Sequence, residues 1–424
     1  MSLSLRHLPV SAWLIPLAYA AGALIVGFTV PRLAYSILPG FVSSVSPNAA
    51  IGIYSAVASG MIALTGIVFS LTFVMLQFSA TAYSPRLVLW IARDPVMSHA
   101  MGVFTATFLY AIAALAWVDR AGSGRVPLVG TVLVTALLIV SVVMFIILIQ
   151  RVSTLQINRM LSFTADQGRK IIENIYPPIH TAPCQGSNEI ARLPCLQTLL
   201  HQGLPSFIQE VDIHALVEIA CRNGYAIELV ASVGDAALEF TPILRVLGVG
   251  DPIPEQSLRT AIKLGSERTF DQDPKYAIRL LVDIAIKALS PAINDPTTAV
   301  QTLDHIEDLL IRLGRRRLEI GTFCDSDGNP RLLMRFPTWD DFVRLALDEI
   351  RFYGAASIQV MRRMNALVNE LISVLPKERH PTLGHWQKRL QMTVEQSFAD
   401  QFDKLDASDE DHQGLGTART RAIC

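Results

Sequence analysis

Residues 127–178 read PLVGTVLVTALLIVSVVMFIILIQRVSTLQINRMLSFTADQGRKIIENIYPP, and the change of character after Gln150 decides the fold. Pro127 to Gln150 holds no Asp, Glu, Lys, Arg or His. That length suffices to cross the roughly 30 Å hydrocarbon layer, which needs about 20 apolar residues. From Arg151 charges return, and Ile157, Met160, Leu161, Phe163, Ile171 and Ile172 leave a broken apolar face on an amphipathic helix that Pro177-Pro178 stops. A membrane span is therefore expected to run into a helical extension, 151–178, of a soluble domain. The whole chain repeats this division. Of its 36 Lys and Arg and 37 Asp and Glu, residues 1–150 hold only Arg6, Arg32, Arg86, Arg93, Asp94, Asp119, Arg120 and Arg125. With 424 residues, 51% hydrophobic, 17% charged and a mean hydropathy of +0.38, the composition excludes an ordinary soluble enzyme.

Three more segments are long and apolar enough to span: 12–30, 50–79 and 101–118. With 127–150 they make a four-helix transmembrane domain over 1–150. Ala18-Tyr19-Ala20 imitates a signal-peptidase site, but the apolar run exceeds a signal h-region and favours an uncleaved anchor. Arginines set the orientation. With the N-terminus inside, Arg6, Arg86, Arg93, Arg151 and Arg159 face the cytoplasm, against Arg32, Arg120 and Arg125 outside. Five cysteines without a C-x-x-C read as free thiols in a reducing compartment. Both place the two ends of the chain in the cytoplasm. Between spans two and three, Ser84-Pro85 followed by Leu87, Trp90 and Ile91 suits a short helix in the headgroup layer.

Span two carries Ser55, Ser59, Gly66, Ser70, Gln77 and Thr81, spaced 4, 7, 4, 7 and 4. At about 100° per residue they fall within an arc of about 80° and extend some 39 Å along the axis. Such a stripe belongs against protein or water. Two readings stay open: close helix packing, and the lining of a polar pore built from several copies, narrowed at Ile62 and Phe73. Spans without ionisable residues, and a sequence without a Walker motif, argue against active transport. A net charge of −1 gives no basis for nucleic-acid binding.

The soluble half is expected to be α+β and mostly helical. Residues 179–205 read as a linker. A small β-rich unit follows over 206–247, where SFIQEVD, YAIELVAS and EFTPILRV read as strands and Asp212 to Gly224 brackets a capped helix. Residues 254–400 read as a mainly helical domain, with Gly265 ending one helix, and 403–424 as a disordered tail. Asp273-Pro274 and Asp295-Pro296 are N-caps followed by proline. Arg279, Asp283 and Lys287 form an i,i+4 ladder. Glu267, Arg268, Asp271 and Asn294 complete a polar block that reads as a structural or regulatory hub; an ion site from Glu267, Asp271, Asp283 and Asn294 is the sharper alternative. Asp325-Ser326-Asp327-Gly328 reads as a hairpin turn, because Met334 stands where a calcium loop needs glutamate. Thr338 and Asp341 form a capping box.

The segments LQFSATAYSPRL, GVFTATFLYA, GSERTFDQDPKYAIRLLVDIAIKALSPAINDPTTA and DEIRFYGAASIQVMRRM resemble domain-of-unknown-function family 2254 of bacterial membrane proteins. The resemblance implies a bacterial inner-membrane protein with a membrane part followed by a cytoplasmic part, and brings no activity, cofactor or metal. One departure is Ser206-Phe207-Ile208, where relatives tend to place Ser-Gly-Tyr. The sequence thus leads to a passive homo-oligomeric channel organised by its cytoplasmic domain, with a membrane-tethered sensor or scaffold for a cytosolic protein as the alternative. No catalytic constellation is recognisable: Ser266 and Ser290 have no histidine near in sequence. The expected partners are the lipid bilayer, further copies of the chain and a cytosolic protein.

Overall fold

The structure, a computed structural model, describes residues 14–37, 43, 45–82, 95–118, 126, 128–153, 157–181, 190 and 192–417. It divides into two units, Met1–Gln156 and Ile157–Cys424. The expected headgroup helix around Ser84 lies outside the described residues.

In the first unit the four apolar runs are helices, the conformation that pairs every backbone group within a hydrocarbon medium. They are α1 (Leu14–Ile37), α2 (Pro47–Ala82), α3 (Pro95–Leu115) and α4 (Leu128–Ser153). Each contains a stretch long and apolar enough to cross a membrane. Helix α3 is the centre of the unit: 56% of its apolar window is buried, against 17–22% for the others. It runs parallel to α1, since Gly102 meets Tyr19 while Gly27, farther along, meets Ala113. A Cβ at either glycine would come within 2.6 Å of that neighbour, so small residues are what let these two helices approach. Two hydroxyl pairs tie the rest. Tyr54 Oη lies 2.9 Å from Thr131 Oγ1 between α2 and α4, and Thr107 Oγ1 lies 2.8 Å from Ser141 Oγ between α3 and α4. Helix α3 begins at Pro95 rather than near Met101, because proline fits the first helical turn. Its apolar window therefore takes in His99, whose Nδ1 lies 3.2 Å from Tyr19 Oη.

The second unit opens with α5 (Ile157–Ile175), described apart from α4 because 154–156 lie outside the described residues. Its sheets are richer than a 206–247 unit. β1 (Cys195–Leu200) lies inside the segment expected to be linker. It pairs with β5 (Pro242–Leu247), which pairs with β3 (Ala226–Leu229), and the hairpin β7 (Thr322–Cys324) and β8 (Pro330–Leu333) joins through a parallel β3–β8 ladder. A second sheet of three strands has β2 (Ser206–Val211) between β4 (Ala236–Ala237) and β6 (Ile262–Gly265). Gly265 thus ends a strand, correcting the expected helix end; only Glu255–Thr260 before it is helical. CLQTLL and IKLG lack clean alternation, and their partners are distant in sequence. The caps behave as expected: Asp212 accepts from Ala215 N, Gly224 takes φ +70°, and Thr338 with Asp341 forms the reciprocal box.

Helices α8 (Pro274–Ala288), α9 (Pro296–Gly314), α10 (Trp339–Gly354) and α11 (Ile358–Val374) form a bundle with α5, with α6 (Ile213–Asn223) and α7 (Glu255–Thr260) on the sheet side. Ile278, Leu281, Val282 and Ala285 of α8 are fully buried, as their spacing requires. Between α9 and α11, the guanidinium of Arg363, 2% exposed, donates to Asp304 at 2.8 Å and to Glu307. The chain continues through α12 (His380–Ser397) to α13 (Gln401–Ser408), which corrects the expected disordered tail. Asp400 caps α13, Asn365 donates to Ala407 O at 3.1 Å, and Asp411 accepts from Gln413 and Thr417 N. Docking by hydrogen bonds leaves no apolar pattern to read. Residues 418–424 lie outside the described residues. Cys195 and Cys221 are free, whereas Cys324 is disulfide-bonded. Five free thiols therefore do not hold, and the thiols drop out of the case for orientation.

Candidate functional site

On α2 the face packed against the unit is Ala50, Tyr54, Val57, Ala58, Met61 and Val68, all buried. On a helical wheel of about 100° per residue these centre roughly opposite the polar stripe. Ser55, Ser59, Gly66, Ser70 and Gln77 are accordingly exposed, and Asn48, which sequence reading passed over, extends the stripe by two turns. A Cβ on Gly52 or Gly66 would meet nothing within 4 Å. The side chain of Thr81 lies outside the described residues. Among the described residues of the first unit, the buried positions of α2 lie on the opposite face.

The polar block from Gly265 to Thr298 divides into three ties. First, the segment after β6 is bound to β2. Gln209 donates to Glu267 O at 2.8 Å, and the Gln272 amide takes the place of a strand partner, accepting from Val211 N at 2.9 Å and donating to Val211 O at 3.1 Å. Asp271 is exposed and held by Thr269 Oγ1 at 3.0 Å. Second, Asp273, 1% exposed, caps α8 through Lys275 N at 3.1 Å and takes Nε of Arg268 at 2.9 Å, while that guanidinium lies over the Tyr276 ring. Burial pushes the Asp273 carboxyl up against the opposing pull of Arg268. Only glycine fits at 234, where φ is +87° and a Cβ would come within 2.0 Å of Asp273 Oδ2. Third, Arg279 Nε donates to Asp283 at 2.8 Å, and its other nitrogens clamp Glu349 of α10 as a bidentate pair. Burial pushes the Lys287 ammonium down.

The Ser290–Thr297 motif is a tight interhelical turn. Asn294, at φ +50°, donates its N–H to Ser290 O, and Asp295 accepts from Thr298 N at 3.1 Å to open α9. The ion-site alternative is not assembled: among the described residues no three His, Cys, Asp or Glu side chains converge, and Asp283 is occupied by Arg279. The 325–328 turn accepts N–H groups from Asp327 and Asn329 on Asp325, which Arg331 also holds at 2.8 Å. Sequence reading missed Gln272, Glu349 and Arg363, whose partners are 56 or more residues away.

The Arg279 clamp holds the Glu349 carboxyl below its ordinary 4.5. A lowered folded pKa adds stability that is complete above that ordinary value and is lost as pH falls through the folded one. Glu349→Gln is therefore expected to melt below the parent protein at pH 7. The gap should close as pH falls below 4.5; a gap constant from pH 7 to 3.5 would refute the assignment.

Four apolar helices with a tightly packed central helix, followed by a separately folded α+β unit, define a multi-spanning membrane protein with a large extramembrane domain. The chain belongs to the family described as "Predicted membrane protein (DUF2254)", whose model matches residues 10–370. It is similar to the uncharacterized protein Rv1290c of Mycobacterium tuberculosis (strain ATCC 25618 / H37Rv) and the uncharacterized protein Mb1321c of Mycobacterium bovis, each 27% identical over 94% of this chain and 79% of the relative. No solved structure matches.

Proposed function

We propose that the chain is a passive, homo-oligomeric pore of the bacterial inner membrane, organised by its second unit as a cytoplasmic domain. What carries this reading is the α2 stripe. Its hydroxyls lie opposite the face that packs on the rest of the unit, and in a bilayer they need protein or water. Copies arranged about an axis supply both. Four crossings return the chain to the side on which it began, and the bias of the loop arginines makes that side cytoplasmic. Selectivity then comes from width, hydroxyls and constrictions at Ile62 and Phe73, with a preference for anions from Arg86 and Arg93 at the inner mouth and Arg32 at the outer. The block from Gly265 to Thr298 acts as the organiser that keeps β2, α8 and α10 in register.

Cysteine substitution along 55–77, probed with a membrane-impermeant thiol reagent from either side, tests the pore. Labelling is expected at Ser55, Ser59, Ser70 and Gln77 with a period near 3.6, and not at Val68. Uniform protection of the stripe would return it to packing between helices and leave the sensor or scaffold reading in front.

A further inference from the structure

A cleft of about 570 Å³ opens in the second unit between the turn after β3, the start of α8, the β8–α10 connection and α10 itself. Small-molecule sites run from roughly 300 to 1,000 Å³. Its acids are all engaged. Asp341 closes the capping box and pairs with Arg344 at 2.9 Å. Asp348 pairs with Arg389 at 2.8 Å, and Glu349 is clamped by Arg279. The cations are less committed. Lys275 reaches Asp235 only at 3.5 Å, and Arg335, exposed, has no ion-pair partner among the described residues. Three cations, Lys275, Arg335 and Arg344, balance three acids in the lining, and Arg335 is the cation left without an ion-pair partner among the described residues.

The wall beside that charge is apolar and fixed. Phe336 lies in the cleft, with its ring in edge contact with Tyr176 at 6.1 Å and tilted contact with Phe323 at 6.3 Å; Leu345 faces the same space. Ser232 Oγ donates to Arg335 O at 3.1 Å, which anchors the backbone that carries the guanidinium. A rigid apolar wall beside an uncommitted guanidinium and an ammonium suits a molecule with a flat apolar body and one negative charge.

We propose that this cleft binds a small organic carboxylate, its carboxyl group taken by Arg335 with help from Lys275 and its apolar body laid on Phe336 and Leu345. The planar guanidinium fork matches a carboxylate with two parallel N–H donors. This inference does not depend on the pore, and it gives the second unit a chemical input of its own.

The test uses the full chain in lipid nanodiscs, with 4-(trifluoromethyl)benzoate as probe, followed by fluorine relaxation against empty nanodiscs. Broadening above the empty-disc value is expected for the benzoate and not for the corresponding neutral benzamide. Arg335→Ala should weaken binding about tenfold, the loss of one charged hydrogen-bonding partner, with Arg335→Lys in between. Because Arg335 is exposed, the variant is expected to melt with the parent. Equal broadening by the benzamide, or an unchanged Kd in a normally melting Arg335→Ala, would overturn the proposal.

Discussion

Arg363→Ala is expected to destabilise the second unit by about 3–5 kcal/mol, the cost of removing one partner from a buried ion pair. The reason lies in what remains. Glu307 is nearly buried and would keep a carboxylate with its ion-pair partner gone, in a helix pair otherwise closed largely by apolar side chains. Asp304, about half exposed, would simply return to water. Near two to four degrees per kcal/mol for a domain of this size, the shift in Tm is roughly 10 °C. Tryptophan fluorescence reads it through Trp339 and Trp386, both buried in this bundle. The double variant Arg363→Met with Glu307→Met should regain most of the loss, because an apolar pair of similar volume has no desolvation cost to offset. A single variant melting within about 2 °C of the parent would show that leucine packing alone joins α9 to α11.

The second large effect is expected at Asp273. Asp273→Ala removes a helix cap worth about 1 kcal/mol and strands the guanidinium of Arg268, so the total should reach roughly 2–4 kcal/mol. Asp273→Asn keeps an acceptor for Lys275 N and should recover part of it. The reverse variant, Arg268→Met, adds a pH signature. The Asp273 carboxyl is already raised by burial, and without Arg268 it rises further. A carboxyl with a folded pKa above its unfolded value binds its proton more readily in the fold. Stability from this group is therefore fullest at low pH and declines as pH rises through the folded pKa. Arg268→Met should accordingly gain stability relative to the parent as pH falls toward the carboxyl's ordinary 3.8. A relative loss on acidification would mean that Asp273 is not the buried acid of this pair.

Local signals were legible in the residues; distant pairings were not. The four spans followed from apolar length, and the helix starts at Asp212, Asp273, Asp295 and Thr338 from cap chemistry confined to a few neighbouring positions. Strand β1 was hidden because CLQTLL is bounded by prolines and glycines and pairs with β5 some fifty residues on. Strand β6 looked helical because LRTAIKLG continues a short helix, and only the approach of β2 makes an edge for it. The polar block was visible as a cluster of charges. What each charge does depends on Glu349, Val211 and Gly234, none of which is near its partner in the chain. The α2 stripe was legible as a period, but its position opposite the packed face required knowing which side α3 occupies.

Helix α2 has one more consequence. Its 36 residues span about 54 Å at 1.5 Å per residue, and its apolar window, Pro47–Val74, alone accounts for about 42 Å. The windows of the other three helices are 20–23 residues, a match to a hydrocarbon layer of about 30 Å. To hide its whole apolar window, α2 would have to lean about 45° from the membrane normal, beyond the usual 0–40°. Otherwise it stands proud of the layer or thickens the lipid around it. The three short helices fix a preference for ordinary bilayers while the long one favours thicker ones, so this protein carries a built-in hydrophobic mismatch. Acyl-chain length is then a physical variable to which α2, and the stripe along it, must answer.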